Sequence, residues 1–152
     1  MGILEKIGLS APSEERLLDE LTDLAGRNQA LVDRLRRHTD ICPYPSMKQA
    51  LERLAAQEAS HVNALNAILT PRGRWLSLKD LPSRDGANAW ERITGDLDIL
   101  SRLSIELGRH AMHWEAVNPE IAERLRTLVD EDAGVLSELR KLALKSDPQA
   151  LD

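Results

Sequence analysis

The sequence predicts an all-α protein, a bundle of four long helices in a single domain covering residues 1–152. Leucine and alanine far outnumber the β-branched residues, and the chain has three tryptophans, one tyrosine and no phenylalanine, which favours helices over strands. Capping residues and prolines divide the chain into four segments, each with an apolar stripe of helical spacing. A chain of this length can bury one core without disulfides.

Four helices are expected, joined by two short links and one long one. Their approximate bounds are 13–38, 46–69, 88–117 and 119–145. Ser13 can cap the first helix with its hydroxyl group, and Ser46 with Gln49 forms a capping-box pattern at the start of the second. Asn118 precedes Pro119 at the start of the fourth helix, where a capping side chain followed by proline is favourable.

The link between the second and third helices, Thr70 to Ala87, is the longest connection in the chain. The second helix is expected to stop at Thr70-Pro71, the link carries two prolines and two glycines, and the third helix begins at about Asn88. At about 3.3 Å per residue, the link is long enough to run the whole length of a helix. It can therefore cross between opposite ends of the bundle, which makes the second and third helices parallel. An ordinary surface loop is the alternative.

Each apolar stripe contains a polar residue near the middle of its helix. The four residues are Asn28, Glu58, Ser104 and Asp132, and His61 follows one turn after Glu58. Because all of them lie at about the same height whichever way each helix points, we expect these five side chains to form one buried polar layer. Glu58 and His61 are three residues apart, so both can direct a ligand atom at one ion.

The stripes also indicate a duplicated helical hairpin, because the second stripe repeats in the fourth and the first repeats in the third. The matching runs are Leu51-x-x-Leu54-Ala55-Ala56-Gln57-Glu58-x-x-His61 and Leu125-x-x-Leu128-x-x-x-Asp132-x-x-Val135. A Glu-x-x-His pair on a duplicated hairpin resembles the ferritin-like superfamily of di-iron carboxylate proteins, and the resemblance covers Ser13 to about Lys145. It implies two helical hairpins joined by a long crossover, with metal ligands facing the bundle interior.

The ligand set that this resemblance implies is only partly present. Glu58 and His61 match the family pattern, and Asp132 is a shortened counterpart of a second glutamate. Asn28 and Ser104 stand where the family places carboxylates, and the second histidine is absent. The resemblance therefore implies a reduced site for iron, manganese or zinc. The same five side chains could instead form a hydrogen-bond network without metal.

The third helix carries further polar and apolar residues beside its main stripe. Glu106, His110 and His113 lie on one side of the helix and could hold a divalent ion. The alternative is that the two histidines are solvated or pair with carboxylates near the end of the helix. Ile99 and Leu103 form a second apolar row that one bundle face does not require. We expect a second copy of the chain to cover this row in a homodimer.

Charge and composition exclude several classes of function. The net charge is −5 and the arginines are spread along the chain, so no nucleic-acid-binding or membrane-binding face is expected. No apolar stretch approaches a membrane span and the N-terminus lacks a signal-peptide pattern, which predicts a cytoplasmic protein. Cys42 is the only cysteine, and no phosphate-binding or nucleophile motif occurs, so no catalytic residue is assigned.

Two functions remain open at this point, and with them the question whether the protein is an enzyme. The incomplete ligand set favours a binding or interaction module without catalytic activity. The retained pair of Glu58 and His61 favours a metal-binding protein, for which the resemblance implies redox or stress-related activity. No cofactor other than a divalent metal is expected.

Overall fold

The structure, a computed structural model, describes residues 13–81 and 85–151 of the chain. Four long helices account for most of them: α1 (Glu14–Asp40), α2 (Pro45–Leu69), α3 (Ala89–Glu115) and α4 (Pro119–Ser146). Short 3-10 helices follow α2 and α4, at Thr70–Arg72 and Pro148–Leu151. The described residues contain no strand, so the all-α prediction is confirmed. None of the described helices is long and apolar enough to cross a membrane.

Three of the four helices begin with a capping side chain that accepts hydrogen bonds from free backbone amides. These residues are Ser13, Asn88 and Asn118. Helix α2 differs, because it begins after Tyr44 with Pro45 in its first position and has no side-chain capping hydrogen bond. The predicted capping box of Ser46 and Gln49 does not form, since the helix starts earlier than expected and Ser46 lies inside it.

Ion pairs between α1 and α3 show that these helices run antiparallel. Arg27, near the middle of α1, contacts Glu106 at 2.8 Å. Further along α1, Arg34 contacts Asp96, which precedes Glu106 in α3, at 2.6 Å. The order of contacts is reversed between the two helices. Since short turns also make α1 and α2 antiparallel, α2 and α3 run in the same direction.

Helices α2 and α4 are antiparallel as well. Arg53 lies 3.7 Å from Glu138, while His61, further along α2, lies 3.0 Å from Asp132, which comes earlier in α4. Each helix therefore packs beside two others, and α2 with α4 forms the least extensive of the four interfaces between helices. This interface nevertheless contains the cluster of buried polar residues described below.

The segment between α2 and α3 lies along α1. Arg74 pairs with Asp19 near the start of α1 at 3.0 Å, and Asp85 lies 3.5 Å from Arg37 near its end. The segment therefore passes between opposite ends of the bundle, as expected for a crossover, and is not the ordinary surface loop that was the alternative. At Gly26, a Cβ atom would lie only 2.3 Å from the backbone oxygen of a crossing residue, so glycine permits the close approach.

The apolar stripes of the four helices meet in one core. Ile99 and Leu103 belong to it, with only 6% and 4% of their surfaces exposed. The prediction that these two residues form an uncovered surface for a homodimer is therefore wrong. The physical reason is that α3 packs against both α1 and α4. Two neighbouring helices bury more of its surface than the single apolar stripe covers, and Ile99 and Leu103 lie in the additional buried part.

Candidate metal site

Helices α2 and α4 bring three buried side chains together, Glu58, His61 and Asp132. Each offers one ligand atom, and these atoms lie within 4.8 Å of one another. Glu58 and His61 share one face of α2 because they are three residues apart, and antiparallel packing places Asp132 of α4 opposite them. The three residues predicted as metal ligands thus lie in one cluster, and they are 0%, 5% and 2% exposed.

The ring of His61 lies against both acids. Its Nδ1 atom is 3.0 Å from Oδ1 of Asp132 and 3.3 Å from Oε1 of Glu58. These three atoms, and the second carboxylate oxygen of Glu58, are buried and make no hydrogen bond of acceptable geometry. Because a buried polar atom without a partner costs about 1–3 kcal/mol, the cluster needs either a shared proton or a cation to satisfy it.

The other nitrogen of the His61 ring is next to a fourth acid. Nε2 lies 2.8 Å from Oε2 of Glu131, whose side chain is 53% exposed. A carboxylate oxygen at this distance favours a proton on Nε2, because two unprotonated acceptor atoms would repel each other. In a neutral ring, Nδ1 then keeps its lone pair toward Glu58 and Asp132. A carboxylate on the outer nitrogen is the usual arrangement around a metal-binding histidine.

The pKa values of the cluster reflect its burial and its charges. Burial raises the pKa of Glu58 to about 7, with a further rise from the charge of Asp132 and an opposing effect of His61. Burial acts to lower the pKa of His61, but the adjacent carboxylates of Asp132 and Glu58 outweigh it and raise this pKa to about 10. Without a metal, His61 is therefore an imidazolium at neutral pH. A bound cation would replace its Nδ1 proton.

The other two members of the predicted polar layer do not join the cluster. Asn28 is buried, but its side-chain amide donates to the backbone oxygen of Leu24 in its own helix at 2.9 Å. Ser104 is half-buried on α3. Among the residues that the structure describes, no hydrogen bond links either side chain to Glu58, so two helices rather than four supply the site.

The group on α3 does not form the ion site considered from the sequence. Glu106 accepts two hydrogen bonds from Arg27, and this guanidinium lowers the pKa of the carboxyl group. His110 is buried, and burial lowers its pKa. His113 is exposed on the same helix. The carboxylate that would hold the ion is already neutralised by an arginine from the neighbouring helix.

A second buried charged cluster, which the sequence analysis did not find, joins α1 to α3. Arg34 donates from Nε to Oδ1 of Asp96 at 2.6 Å, and Nδ1 of His38 lies 2.7 Å from the other oxygen of the same carboxylate. All three side chains are almost completely buried. A Cβ atom at Gly95 would lie 2.7 Å from the guanidinium of Arg34, so glycine leaves room for it. The spacing of Arg34 and His38 was the only sequence signal.

Comparison with protein-family models, curated proteins and solved structures found no match to this chain. The function must therefore be argued from the cluster itself. Its donor set consists of one imidazole nitrogen and two carboxylate groups, a mixture that suits iron, manganese and zinc. The buried carboxylate oxygens and the Nδ1 atom of His61 lack hydrogen-bond partners, and an ion would supply a partner to each atom that coordinates it.

Proposed function

We propose that the protein is a metal-binding helical bundle that holds one divalent ion with Glu58, His61 and Asp132. The observation that carries this proposal is the convergence of buried ligand atoms without hydrogen-bond partners. Two ligands of the same ion, each about 2.1 Å from it, lie about 3.0–3.4 Å apart. The distances of 3.0 Å and 3.3 Å from Nδ1 of His61 to the two carboxylates have this size.

We further propose that the bundle is ferritin-like, with a site reduced to one ion. The parallel direction of α2 and α3 and the segment that crosses along α1 support this assignment. Asn28 and Ser104 are poor substitutes for the carboxylates that would bridge two adjacent cations. One ion with three protein ligands leaves at least one coordination position for water or a small molecule, which an iron or manganese ion could use for redox chemistry.

A binding or interaction module without metal is the second candidate, and one observation favours it. The pKa of His61 is raised to about 10, so an imidazolium can occupy the place of the ion and balance the acids around it. The cluster would then set the register of α2 against α4, a role that buried polar groups are known to have. The two candidates differ in whether a divalent ion displaces the proton.

Calorimetric titration with Fe²⁺, Mn²⁺ and Zn²⁺ at pH 7.5 distinguishes these candidates, on protein purified without a chelating tag. The metal-binding proposal expects one ion per chain and loss of binding in Glu58→Gln, which keeps the side-chain size but removes the charge. Glu52→Gln is the matched control, because Glu52 is exposed on the same helix. If none of the three ions binds, or if Glu58→Gln binds as tightly as the wild type, the metal-binding proposal is wrong.

A further inference from the structure

A groove lies at the end of the bundle where α2 and α3 begin and α4 ends. Its volume is about 690 Å³, which is within the range of small-molecule binding sites. Three buried apolar residues contribute to its lining: Met47, Ala50 and Leu142. None of the proposed metal ligands lines the groove, so it is a separate feature of the molecule.

The groove is positively charged in a protein whose net charge is −5. Its cationic lining residues are Arg53, Lys141 and Lys145, whereas Glu138 is its one acidic lining residue. Glu138 lies 3.7 Å from Arg53, so this single carboxylate can balance only one of the three positive charges. Lys141 and Lys145 are one turn apart on α4, and neither forms an ion pair with another described residue. Two cationic groups therefore remain available to a ligand.

Two aromatic side chains line the same groove. Tyr44 precedes α2 and Trp90 lies in the first turn of α3, and they are 54% and 37% exposed. Exposed aromatic rings offer flat apolar area to a ligand at a low cost in side-chain entropy. The first turn of α2 contains no acidic residue, so Glu138 remains the one carboxylate in the lining of the groove.

We propose that this groove binds a small organic anion with a flat apolar body. The anionic group contacts Lys141 and Lys145, and the apolar body packs against Trp90 and the apolar lining around Met47. A long polyanion such as nucleic acid does not fit this arrangement, because the groove offers only two lysines without an ion-pair partner among the described residues and the chain as a whole is acidic. The groove and the proposed metal site share no residue.

A pair of fluorescent probes tests the proposal with the full chain. The probes are 8-anilinonaphthalene-1-sulfonate and N-phenyl-1-naphthylamine, which share an aromatic body but differ in the sulfonate. The anionic probe should saturate at one molecule per chain and bind at least about tenfold more tightly than the neutral probe. NMR amide shifts should be confined to residues around Tyr44, Ala50 and Trp90. Equal affinity for both probes, or shifts centred on the exposed Trp75 and Leu78, would contradict the proposal.

Two double variants with the same change in net charge provide the matched control. Lys141→Glu with Lys145→Glu should weaken binding of the anionic probe at least about tenfold, because repulsion replaces attraction in the groove. Arg102→Glu with Arg109→Glu changes two exposed residues of α3 outside the groove and should alter the affinity by less than about twofold. Circular dichroism verifies that both variants are folded. Equal weakening in the two variants means that only the net charge matters, which overturns the proposed site.

The variant Trp90→Ala tests the aromatic wall separately. It leaves Lys141 and Lys145 in place, so it should weaken both probes by a similar factor and keep their ratio. Trp75→Ala is the control, because Trp75 is more exposed and lies outside the groove. If Trp75→Ala weakens the anionic probe and Trp90→Ala does not, the probe binds to the crossing segment and the proposal is wrong.

Discussion

Nδ1 of His61 lies 3.0 Å from Oδ1 of Asp132, and neither of these buried atoms makes a hydrogen bond of acceptable geometry. The contact joins α2 to α4 and places an ionisable ring between two buried acids. A divalent ion bound here would therefore compete with a proton for the same space.

Metal binding should become tighter as the pH rises. The pKa of His61 is raised to about 10 and that of Glu58 to about 7, so an incoming ion displaces protons at neutral pH. If one proton is released, the apparent dissociation constant falls about tenfold per pH unit between pH 7 and pH 9. Calorimetry in two buffers of different ionisation enthalpy measures the number of protons released. An affinity that is constant over this range contradicts the prediction.

The variant Glu58→Gln should alter how the stability of the metal-free protein depends on pH. The folded-state pKa of Glu58 is about 7, above the ordinary value of 4.5, so the folded state binds more protons between these values and the wild type loses stability as the pH rises through them. The part of this loss that belongs to Glu58 is about 1–3 kcal/mol and should be missing in the variant, which keeps only the smaller decline that the raised pKa of His61 causes. Urea unfolding with a chelator at pH 5 and pH 7.5 measures it. Parallel changes in both proteins would argue against the raised pKa.

Removing the charge of Glu131 should weaken metal binding without abolishing it. Its carboxylate lies 2.8 Å from Nε2 of His61 and favours the ring state that directs the Nδ1 lone pair into the cluster. Loss of such a partner typically costs about 10–100-fold in metal affinity. Asp130→Asn, an exposed neighbour on the same helix, is the control for Glu131→Gln. Equal affinities of the two variants would show that Glu131 does not orient the ring.

The buried carboxylate of Asp96 should be essential for stability. Asp96→Asn leaves Arg34 with a weaker partner, and breaking a buried ion pair typically costs about 3–5 kcal/mol. Asp98→Asn is the control on the same helix, because Asp98 pairs with Arg102 at the surface and should contribute less than about 1 kcal/mol. Thermal and urea unfolding compare the two. Similar losses in both variants would mean that burial adds nothing to this ion pair.

Two glycine substitutions should change stability in opposite directions. A Cβ atom at Gly26 would lie 2.3 Å from the backbone oxygen of Ser77, so Gly26→Ala must displace the crossing segment and should cost about 1–3 kcal/mol. Gly108 lies in α3 with no neighbouring atom near the added carbon, so Gly108→Ala should stabilise the protein by about 0.5–1 kcal/mol. Unfolding midpoints report both signs. A stabilising Gly26→Ala would contradict the close packing of the segment on α1.

The sequence allowed the prediction of features that depend on local chemistry. Capping side chains such as Ser13 and Asn118 set helix bounds, and the stripe position of Glu58 and His61 placed them inside the bundle. The pairing of Asp96 with Arg34 depends instead on how α1 and α3 align, which no local pattern contains. The burial of Ile99 was missed for a similar reason, because the number of neighbouring helices determines how much of α3 is covered.

The position of the Glu58 cluster has a mechanical consequence. Each helical hairpin contributes one side of the cluster, since His61 lies in the first hairpin and Asp132 in the second. The helices that carry them share the least extensive interface of the bundle. An ion held there would cross-link the two halves of the chain where they are otherwise most easily separated. Metal loading would then slow amide exchange mainly along α2 and α4, while each hairpin keeps its own internal packing.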